Sequence, residues 1–427
     1  MKLSVREDSK NYACTVVEVN QLFEIENSDK LARAVILGNN IVVPKTTVLG
    51  EKMLYFVSGT QLSHEYCYRN NLYAEKGTNY DPEATGYISN RQRRVKALKL
   101  RGVISDGMLM PMSSLKPFLE EGSIKALNVG DEFTDINENS LCEKFIVKAP
   151  DVKTAAPKER GKKVKLKDLI IENQFHFHSD TAHFAKNVHK FEANDLVCIT
   201  RKRHGSSFIV AHVKLHKTLS FVEKLLLKLG VDINTEHYGY VYSSGKPKSQ
   251  TPKGVVSDQI DWKTTNKSFY EKNDIWAKAL AQTKHSLEKG ISIYGEITGE
   301  GIQGAGYTYG RDYALHVYRI TQTGADGHVY EFGWEELKAY CAKYGLEHVE
   351  EYYFGKLKDF PYFSDDLLGV LSEQYLNKSY SDCKIDEGIC IRNFSKGGEI
   401  YKYKSPNFLK VESDEQEAGI VNTEDNA

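Results

Sequence analysis

The sequence has little of the material from which membrane spans, disulfide scaffolds and structural zinc sites are built. No stretch of the 427 residues approaches the roughly 20 consecutive apolar residues that cross a bilayer. The seven cysteines are spread from Cys14 to Cys390, and no two have the C-x-x-C spacing. The first residues also lack the apolar core of a secretory signal. These absences predict a cytoplasmic protein without membrane contact and without a cysteine-built zinc site.

The sequence also lacks an excess of charge of either sign. Lys and Arg number 57 against 58 Asp and Glu, so any affinity for nucleic acid must come from local patches. Apolar residues make up 41% and charged residues 27%, which is ordinary for globular proteins. The length allows two or three domains, each with its own core.

Composition divides the chain into four parts. Residues 1–145 hold short apolar runs between turn residues, which is typical of a small antiparallel barrel. Residues 146–165 are rich in lysine and poor in large apolar side chains, and we interpret them as a basic linker. Residues 166–411 mix predicted strands and helices in an α+β domain. Residues 412–427 carry six acids and no base, which predicts an acidic disordered tail.

A group of histidines has spacings that resemble those of metal ligands: His176, His178, His183 and His189. No two of them have the H-E-x-x-H arrangement, so histidines packed around a structural turn are the favoured interpretation. A metal held mainly by carboxylates and phosphate oxygens stays open.

A lysine at a tight corner is the first part of a more specific pattern. Lys202-Arg203-His204-Gly205 lies between two strand-like runs, although a lysine at a strand end is usually only solvated. Three stretches follow in order on predicted strands: Gly295-Glu296, Glu387-Gly388 and Lys402-Tyr403-Lys404. The ordered set of four is far more specific than any one member.

These four stretches resemble motifs I, III, IV and V of the covalent nucleotidyltransferases. The K-x-H-G sequence at Lys202 and the run GEITGEGIQ at residues 295–303 are most similar to RNA ligases. Residues 26–62 and 95–111 are similar to the OB-type domain that precedes the ligase domain in one RNA ligase branch. The resemblance implies a nucleic-acid-binding, all-β OB-type barrel, followed by an α+β nucleotidyltransferase (ATP-grasp-like ligase) domain with antiparallel sheets.

The resemblance implies ATP-dependent joining of RNA ends in three steps. Lys202 would bond covalently to AMP from ATP, AMP would pass to a 5′-phosphate end, and a 3′-hydroxyl would then attack with loss of AMP. Lys202 attacks only as the unprotonated amine, which neighbouring cations favour, and we expect Lys402, Lys404 and Mg²⁺ or Mn²⁺ to supply them. Lys402 and Lys404 share one face of a strand and are predicted to clamp the α-phosphate.

The remaining nucleotide contacts also follow from the resemblance. Glu296 and Glu387 lie on apolar strands, where an unpaired carboxylate is costly, so each needs a partner. The resemblance assigns the ribose to Glu296 and the metal, through water, to Glu387, with a structural salt bridge as the alternative. His204 and Gly205 belong to the first motif. Tyr318 stands where the family has an aromatic that stacks on adenine, although a core tyrosine would also fit.

Recognition of the RNA end rests on weaker patterns. The family has an arginine after motif I, and the comparable stretch here offers Lys246 and Lys248, which we predict to bind the phosphate end. Six basic residues also fall within residues 91–101. Of these, Arg91, Arg93 and Arg94 are predicted to bind RNA, and a solvated loop explains them equally well.

Three alternatives accompany this interpretation. DNA ligases and GTP-dependent capping enzymes use related motifs but normally place an OB domain after motif V, and only about twenty residues follow Lys404. A non-catalytic nucleic-acid-binding protein is the third, and the complete motif set argues against it. We expect a monomer that acts on RNA with 3′-hydroxyl and 5′-phosphate ends, as in nick sealing or RNA repair. Nicked duplexes, hybrids and single-stranded ends all stay open.

Overall fold

The computed structural model describes residues 1–147, 166–178, 181–245, 252–256, 274–303, 309–310, 312–383 and 385–420. The predicted linker at residues 146–165 therefore lies almost wholly outside the described residues. None of the described helices is long and apolar enough to cross a membrane.

The N-terminal part is built mainly of short strands. They are β1 Leu3–Ser4, β2 Cys14–Glu18, β3 Leu22–Glu24, β4 Leu31–Ile36, β5 Asn39–Pro44, β6 Lys52–Phe56, β7 Thr60–Leu62, β8 Ala97–Leu100, β9 Val103–Asp106, β10 Met108–Pro111, β11 Glu132–Phe133, β12 Asp135–Ile136, β13 Asn139–Ser140 and β14 Cys142–Lys144. Two α-helices interrupt them, α1 His64–Arg69 and α2 Glu121–Lys125.

Antiparallel pairing organises these strands around two apolar clusters. The largest sheet has the order β10-β6-β2-β11, and β3-β4-β5 form a second sheet. Strand β6 contributes to both clusters because successive side chains leave a strand on opposite faces. Leu54 and Phe56 enter one cluster, while Met53 and Tyr55 enter the other. The N-terminal part thus has an antiparallel β core of its own.

The second part contains longer strands and more helix. Its strands are β15 Ala182–His183, β16 Leu196–Lys202, β17 Ser206–His216, β18 Glu236–Ser244, β19 Gly254–Val256, β20 Ile291–Thr298, β21 Ala314–Thr323, β22 Val329–Glu331, β23 Glu351–Lys356, β24 Gly388–Asn393 and β25 Glu399–Lys404. Its α-helices are α3 Phe184–Asn187, α4 Phe221–Lys228, α5 Ile275–Thr283, α6 Trp334–Tyr344, α7 Leu367–Tyr375 and α8 Pro406–Glu417.

Short 3₁₀ turns complete the elements of both parts. They are Glu7–Tyr12, Met112–Leu115, Leu166–Leu169, Val188–Lys190, Lys284–Ser286, Leu357–Asp359 and Phe394–Lys396.

Two sheets form the frame of the second part. A six-stranded sheet has the order β19-β18-β17-β20-β21-β22, and a five-stranded sheet has the order β15-β25-β24-β16-β23. All pairs are antiparallel except β15 with β25. The chain passes from the five-stranded to the six-stranded sheet within residues 203–205, between the end of β16 and the start of β17. This crossing carries the predicted first motif.

The acidic C-terminal segment differs from the prediction. Residues 412–417 continue helix α8, which begins with Pro406 at a position that suits proline because no helical N–H is needed there. Ser413 is buried and contacts the N-terminal part: its Oγ accepts a hydrogen bond from the N–H of Ala97 at 3.0 Å. Packing against the other domain therefore orders a segment that composition alone marks as disordered, while residues 421–427 lie outside the described residues.

Candidate active site

The corner that carries Lys202 is held by a buried carboxylate. Glu296, on β20, accepts a hydrogen bond from the N–H of Gly205 at 2.8 Å on one oxygen and from the hydroxyl of Ser207 at 3.1 Å on the other. A β-carbon at Gly205 would lie only 2.0 Å from the carbonyl oxygen of Ile297. Glycine is required here because the turn runs directly beside β20, the strand that pairs with β17.

Lys202 itself contacts the carboxylate of the predicted fourth motif. Its Nζ lies 2.8 Å from Glu387 Oε2, and Lys404 Nζ lies 3.4 Å from Oε1 of the same carboxylate. Sheet register produces this meeting, since Gly388 pairs with Lys202 on one side and with Lys404 on the other. Gly388 has φ +138°, and a β-carbon there would lie 2.2 Å from the carbonyl oxygen of Tyr403. The strands therefore bring together residues almost 200 positions apart in sequence.

Charge pairing keeps this cluster ionised. Burial alone would raise the pKa of Glu387, but Lys202, Lys404 and His204 outweigh it and lower that pKa to about 2. Burial likewise opposes the charge of Lys404, yet the carboxylates of Glu412 and Glu387 raise its pKa well above the usual range. The neighbouring positive charges thus favour the ionised form of Glu387.

The structure adds an anion to the expected surroundings of Lys202. Cations were predicted around this lysine, and the Glu387 carboxylate lies in direct contact with it, while Lys404 contacts the other oxygen of that carboxylate. An opposite charge at this distance favours the protonated amine. If Lys202 is the nucleophile, as predicted, it would have to leave the contact with Glu387 before it attacks a phosphorus atom.

His204 lies beside the same carboxylate. Its Nδ1 is 3.8 Å from Glu387 Oε2, and its ring packs edge-on against Phe408 with 5.0 Å between ring centres. Its backbone N–H donates to the hydroxyl of Tyr309 at 3.0 Å. These contacts fix the orientation of the turn between Lys202 and β17.

A cavity of about 490 Å³ opens onto these side chains. Lys402 lines it together with Lys202 and Lys404, and the register pairs Lys402 with Cys390 on β24 and with His183 on β15. Tyr318, on β21, lines it as well, with its ring centre 5.5 Å from that of His178.

The N-terminal part also contributes to the wall of this cavity, through Tyr12, Asn39, Asp106 and Lys144. These residues were not predicted, because no local pattern in the sequence indicates which face of the N-terminal part contacts the second part.

An arginine network beside Lys202 is a further feature that the sequence analysis missed. Arg201 Nε donates to Asp386 at 2.8 Å, and its guanidinium also reaches Asp382 at 3.0 Å. Arg203 contacts Asp382 at 2.8 Å. These ion pairs connect both neighbours of Lys202 to the segment before Glu387. The only signal in the sequence was their adjacency to the two motifs.

The predicted RNA-binding residues differ in their exposure to solvent and in their contacts. Lys246 and Lys248 lie outside the described residues. Arg91 is exposed, and Arg93 donates its Nε to the carbonyl of Leu62 at 3.1 Å. Arg94 is 1% exposed, and its guanidinium donates to the carbonyl of Ser413 at 2.7 Å. The prediction for Arg94 was therefore wrong, because domain packing buries this arginine.

Metal binding by protein side chains alone finds no support within the described ranges. They contain no group of three or more His, Cys, Asp or Glu side chains that could hold an ion, and this includes the described histidines between residues 176 and 189. A divalent ion at Glu387 would therefore need oxygen ligands from water or phosphate, which suits the preference of Mg²⁺ for retained water.

Comparison with known proteins adds a family and a fold. Residues 195–404 match the family model described as RNA ligase, and no curated protein matches the chain. Among solved structures, the fold is similar to that of an apo variant of Naegleria gruberi RNA ligase, with TM-score 0.58 and 14% identity over 96% of this chain and 100% of that chain.

Two complexes of the same Naegleria gruberi enzyme give similar values. The complex with PPi has TM-score 0.55 and 15% identity, covering 96% of this chain and 100% of that chain. A variant with AMP and Mn has TM-score 0.55 and 14% identity, covering 93% and 98%. At such identities the likeness establishes the fold.

Proposed function

We propose that the protein is an ATP-dependent RNA ligase that works through a covalent bond between Lys202 and AMP. The match of residues 195–404 to the RNA ligase family model supports this proposal. The proposed enzyme joins a 3′-hydroxyl to a 5′-phosphate end and acts as a monomer.

One observation carries the proposal: the four motifs meet at one end of two joined sheets. Lys202 Nζ lies 2.8 Å from one oxygen of Glu387, and Lys404 Nζ lies 3.4 Å from the other. Glu296 braces the turn that presents Lys202. The cavity of about 490 Å³ beside them is large enough for a nucleotide. A nucleophile, an anion and paired cations around such a cavity suit phosphoryl transfer.

In the first step, Lys202 Nζ attacks the α-phosphorus of ATP. The N–P bond forms as the bond from the α-phosphorus to the bridging oxygen breaks, pyrophosphate leaves, and the amine loses its proton. Lys402 and Lys404 lie on one face of β25 at the cavity and stabilise the charge that spreads over the phosphate oxygens. Glu387 releases Lys202 at this stage, since the ammonium form cannot attack.

The later steps return Lys202 to its starting state. An oxygen of the RNA 5′-phosphate attacks the AMP phosphorus, the N–P bond breaks, and the amine regains a proton. The RNA 3′-hydroxyl then attacks the 5′-phosphorus, and AMP leaves. Lys202 can then return to the contact with Glu387, in which its Nζ lies 2.8 Å from Oε2.

A divalent metal, Mg²⁺ or Mn²⁺, belongs to this proposal. Glu387 is the carboxylate that would hold it through water, and when bound it would neutralise charge on the phosphates. The chain's own part is to keep this carboxylate ionised, which the neighbouring lysines and His204 do by lowering the pKa of Glu387 to about 2. Burial alone would act in the opposite direction.

Nucleotide recognition extends the proposal to two further residues. Tyr318 offers an aromatic face in the cavity wall for the adenine. Glu296 is the nearest candidate for a ribose hydroxyl, in addition to the hydrogen bonds that it accepts from Gly205 and Ser207.

The N-terminal part is proposed as the RNA-binding module of OB type. Its support is an antiparallel β architecture and exposed basic side chains at Arg91, Lys99 and Arg101. Lys246 and Lys248 remain the candidates for the phosphate end.

Labelling with nucleotide tests the proposal. The protein is incubated with α-labelled ATP or GTP and a divalent metal and then separated on a denaturing gel, with Lys202→Ala and the exposed control Lys343→Ala beside it. We expect label from ATP in wild type and control, and none in Lys202→Ala. Label from GTP would indicate a capping enzyme, and no label from either nucleotide would contradict the proposal.

Sealing assays test the substrate. Nicked substrates with RNA or DNA around the nick are compared with single-stranded ends, and each 5′ end is supplied with or without phosphate. We expect sealing of RNA that requires the 5′-phosphate. Sealing of all-DNA nicks at an equal rate would indicate a DNA ligase instead.

A further inference from the structure

Helix α8 returns to the active site directly after β25. Only Ser405 separates Lys404 from the start of the helix, and two turns later Glu412 lies over the lysine. Both oxygens of Glu412 contact Lys404 Nζ, at 3.0 Å and 3.2 Å, whereas Glu387 is 3.4 Å away. Lys404 is thus held more closely by the helix than by the motif carboxylate.

The four charges of the cluster balance in pairs. Glu387 lies closest to Lys202 and Glu412 closest to Lys404. The side chains of Lys202 and Lys404 are each 18% exposed, and that of Glu387 is 2% exposed. An uncompensated charge at such depth is costly. Loss of Glu412 would remove the carboxylate that lies nearest to Lys404.

The aromatic ring of Phe408 adds a further constraint on the same lysine. Lys404 Nζ lies 5.1 Å from the centre of this ring, within the range of a cation–π contact. The helix therefore supplies two of the groups that surround Lys404, and both depend on where the helix lies.

The opposite side of the helix is fixed by the N-terminal part. The carbonyl of Ser413, next to Glu412, accepts from the buried Arg94 at 2.7 Å, and the hydroxyl of Ser413 accepts from the N–H of Ala97 at 3.0 Å. Arg94 and Lys96 also pair with Glu417. The position of Glu412 is therefore set by contacts between domains.

We propose that Glu412 is a positioning residue for the adenylylation step: it holds Lys404 in the cavity wall, and the N-terminal part sets its place through Ser413. This inference rests on the proposed function. Glu412 acts through Lys404, and Lys404 stabilises the negative charge that develops on the phosphate oxygens during phosphoryl transfer. Its loss therefore lowers the rate of the chemical step more than it lowers the affinity for ATP.

Single-turnover formation of the labelled protein tests the inference, with wild type, Glu412→Gln and Asp414→Asn compared across ATP concentrations. Asp414 is the matched control, since it lies on the same helix and pairs only on the surface with Lys410. For Glu412→Gln we expect a rate about tenfold lower at saturating ATP, with half-saturation changed less than about twofold. Asp414→Asn should match wild type.

The outcomes separate the two proposals. If wild type forms no lysyl-AMP, the proposed function fails. If wild type reacts and Glu412→Gln equals it, or loses only ATP affinity, the positioning role is overturned. A thermal melt of each variant shows that the comparison is made between folded proteins.

The link to the N-terminal part has its own test. Ser413→Ala removes the hydroxyl that accepts from Ala97 without removing the buried Arg94, so it should fold. We expect Ser413→Ala to slow adenylylation, as Glu412→Gln does. In the variant that carries both substitutions, the combined loss of rate should be less than additive. Additive effects, or no effect of Ser413→Ala, would overturn the link between domains.

Discussion

Two buried carboxyl groups, one from each part of the molecule, line the same cavity and have opposite properties. Asp106 in the N-terminal part is 3% exposed, and Glu387 in the second part is 2% exposed. Burial raises the pKa of Asp106 to about 6 despite hydrogen bonds from Ser58. The pKa of Glu387 falls to about 2, because Lys202, Lys404 and His204 outweigh its burial.

The difference between the two pKa values shows the effect of the counter-ions that the second part places around Glu387. Strand register places a lysine on each side of Glu387, from β16 and from β25. Asp106 is the last residue of β9. After burial, the hydrogen bonds from Ser58 have the largest effect on its pKa, and the effect of the nearest cation is smaller. A buried carboxylate is thus an active-site anion only where the sheet supplies its counter-ions.

Neutralising Glu387 is expected to have the largest effect, and neutralising Asp106 is the matched comparison. Glu387→Gln should lower the rate of lysyl-AMP formation by about 100- to 1000-fold, because the amide cannot balance the two lysines. Asp106→Asn should stay within about threefold of wild type, under about 1 kcal/mol in the barrier. Single-turnover labelling measures both rates. Equal losses would remove the distinction drawn between the two carboxyl groups.

Glycine substitutions extend the comparison to the backbone. Gly205→Ala should destabilise the protein by about 3 kcal/mol or more, since the new β-carbon would lie 2.0 Å from the carbonyl of Ile297. Gly122→Ala, in helix α2 of the N-terminal part, meets open space and should gain up to about 1 kcal/mol. Denaturant unfolding reports both, and a tolerated Gly205→Ala would show that the turn can move away from β20.

Substitution of two arginines in the N-terminal part should distinguish a residue that stabilises the fold from one that binds RNA. Arg94→Met should cost about 2–3 kcal/mol of stability, because it removes a buried donor to Ser413. Arg91→Ala should change the free energy of unfolding by less than about 0.5 kcal/mol. If Arg91 contacts a phosphate, the slope of log binding constant against log salt concentration should fall in magnitude by about one. Reversed roles for these two arginines would contradict the domain packing described above.

The pH dependence of stability is the smallest expected effect. A carboxyl whose pKa is raised in the folded state stabilises the protein at low pH, and this contribution is lost as pH rises from about 4 to about 6. Asp106→Asn should therefore gain stability relative to wild type over that window, by about 1–2 kcal/mol. Glu387 has the opposite sign, since its contribution is lost as pH falls from about 4.5 to about 2. Unfolding at pH 4 and pH 7 distinguishes them.

Two elements of the second part can be predicted from local signals. The strand at Ile291–Thr298 consists entirely of buried residues, and helix α4 begins at a capping box formed by Ser220 and Glu223. Both signals are contained in a few adjacent residues, so they need no knowledge of the rest of the chain. The motif order assigned Lys202 and Glu387 to one site, but it did not predict the ion pair between them.

Contacts between the two parts could not be predicted in this way. Arg94 lies in a run of bases that is typical of a solvated or RNA-binding surface, yet it is buried against helix α8. Glu412 lies in an acidic segment that is typical of disorder, yet it pairs with Lys404. Both residues acquire their roles only from the packing of one domain on the other, which leaves no periodic signal in sequence.

The central claim is that Lys202 carries AMP, and locating the adduct tests it most directly. The protein is incubated with ATP and a divalent metal, digested, and its peptides are analysed by mass spectrometry. The account predicts a single AMP adduct on Lys202, lost on addition of pyrophosphate. An adduct on another lysine, or no adduct in a folded protein, would contradict it.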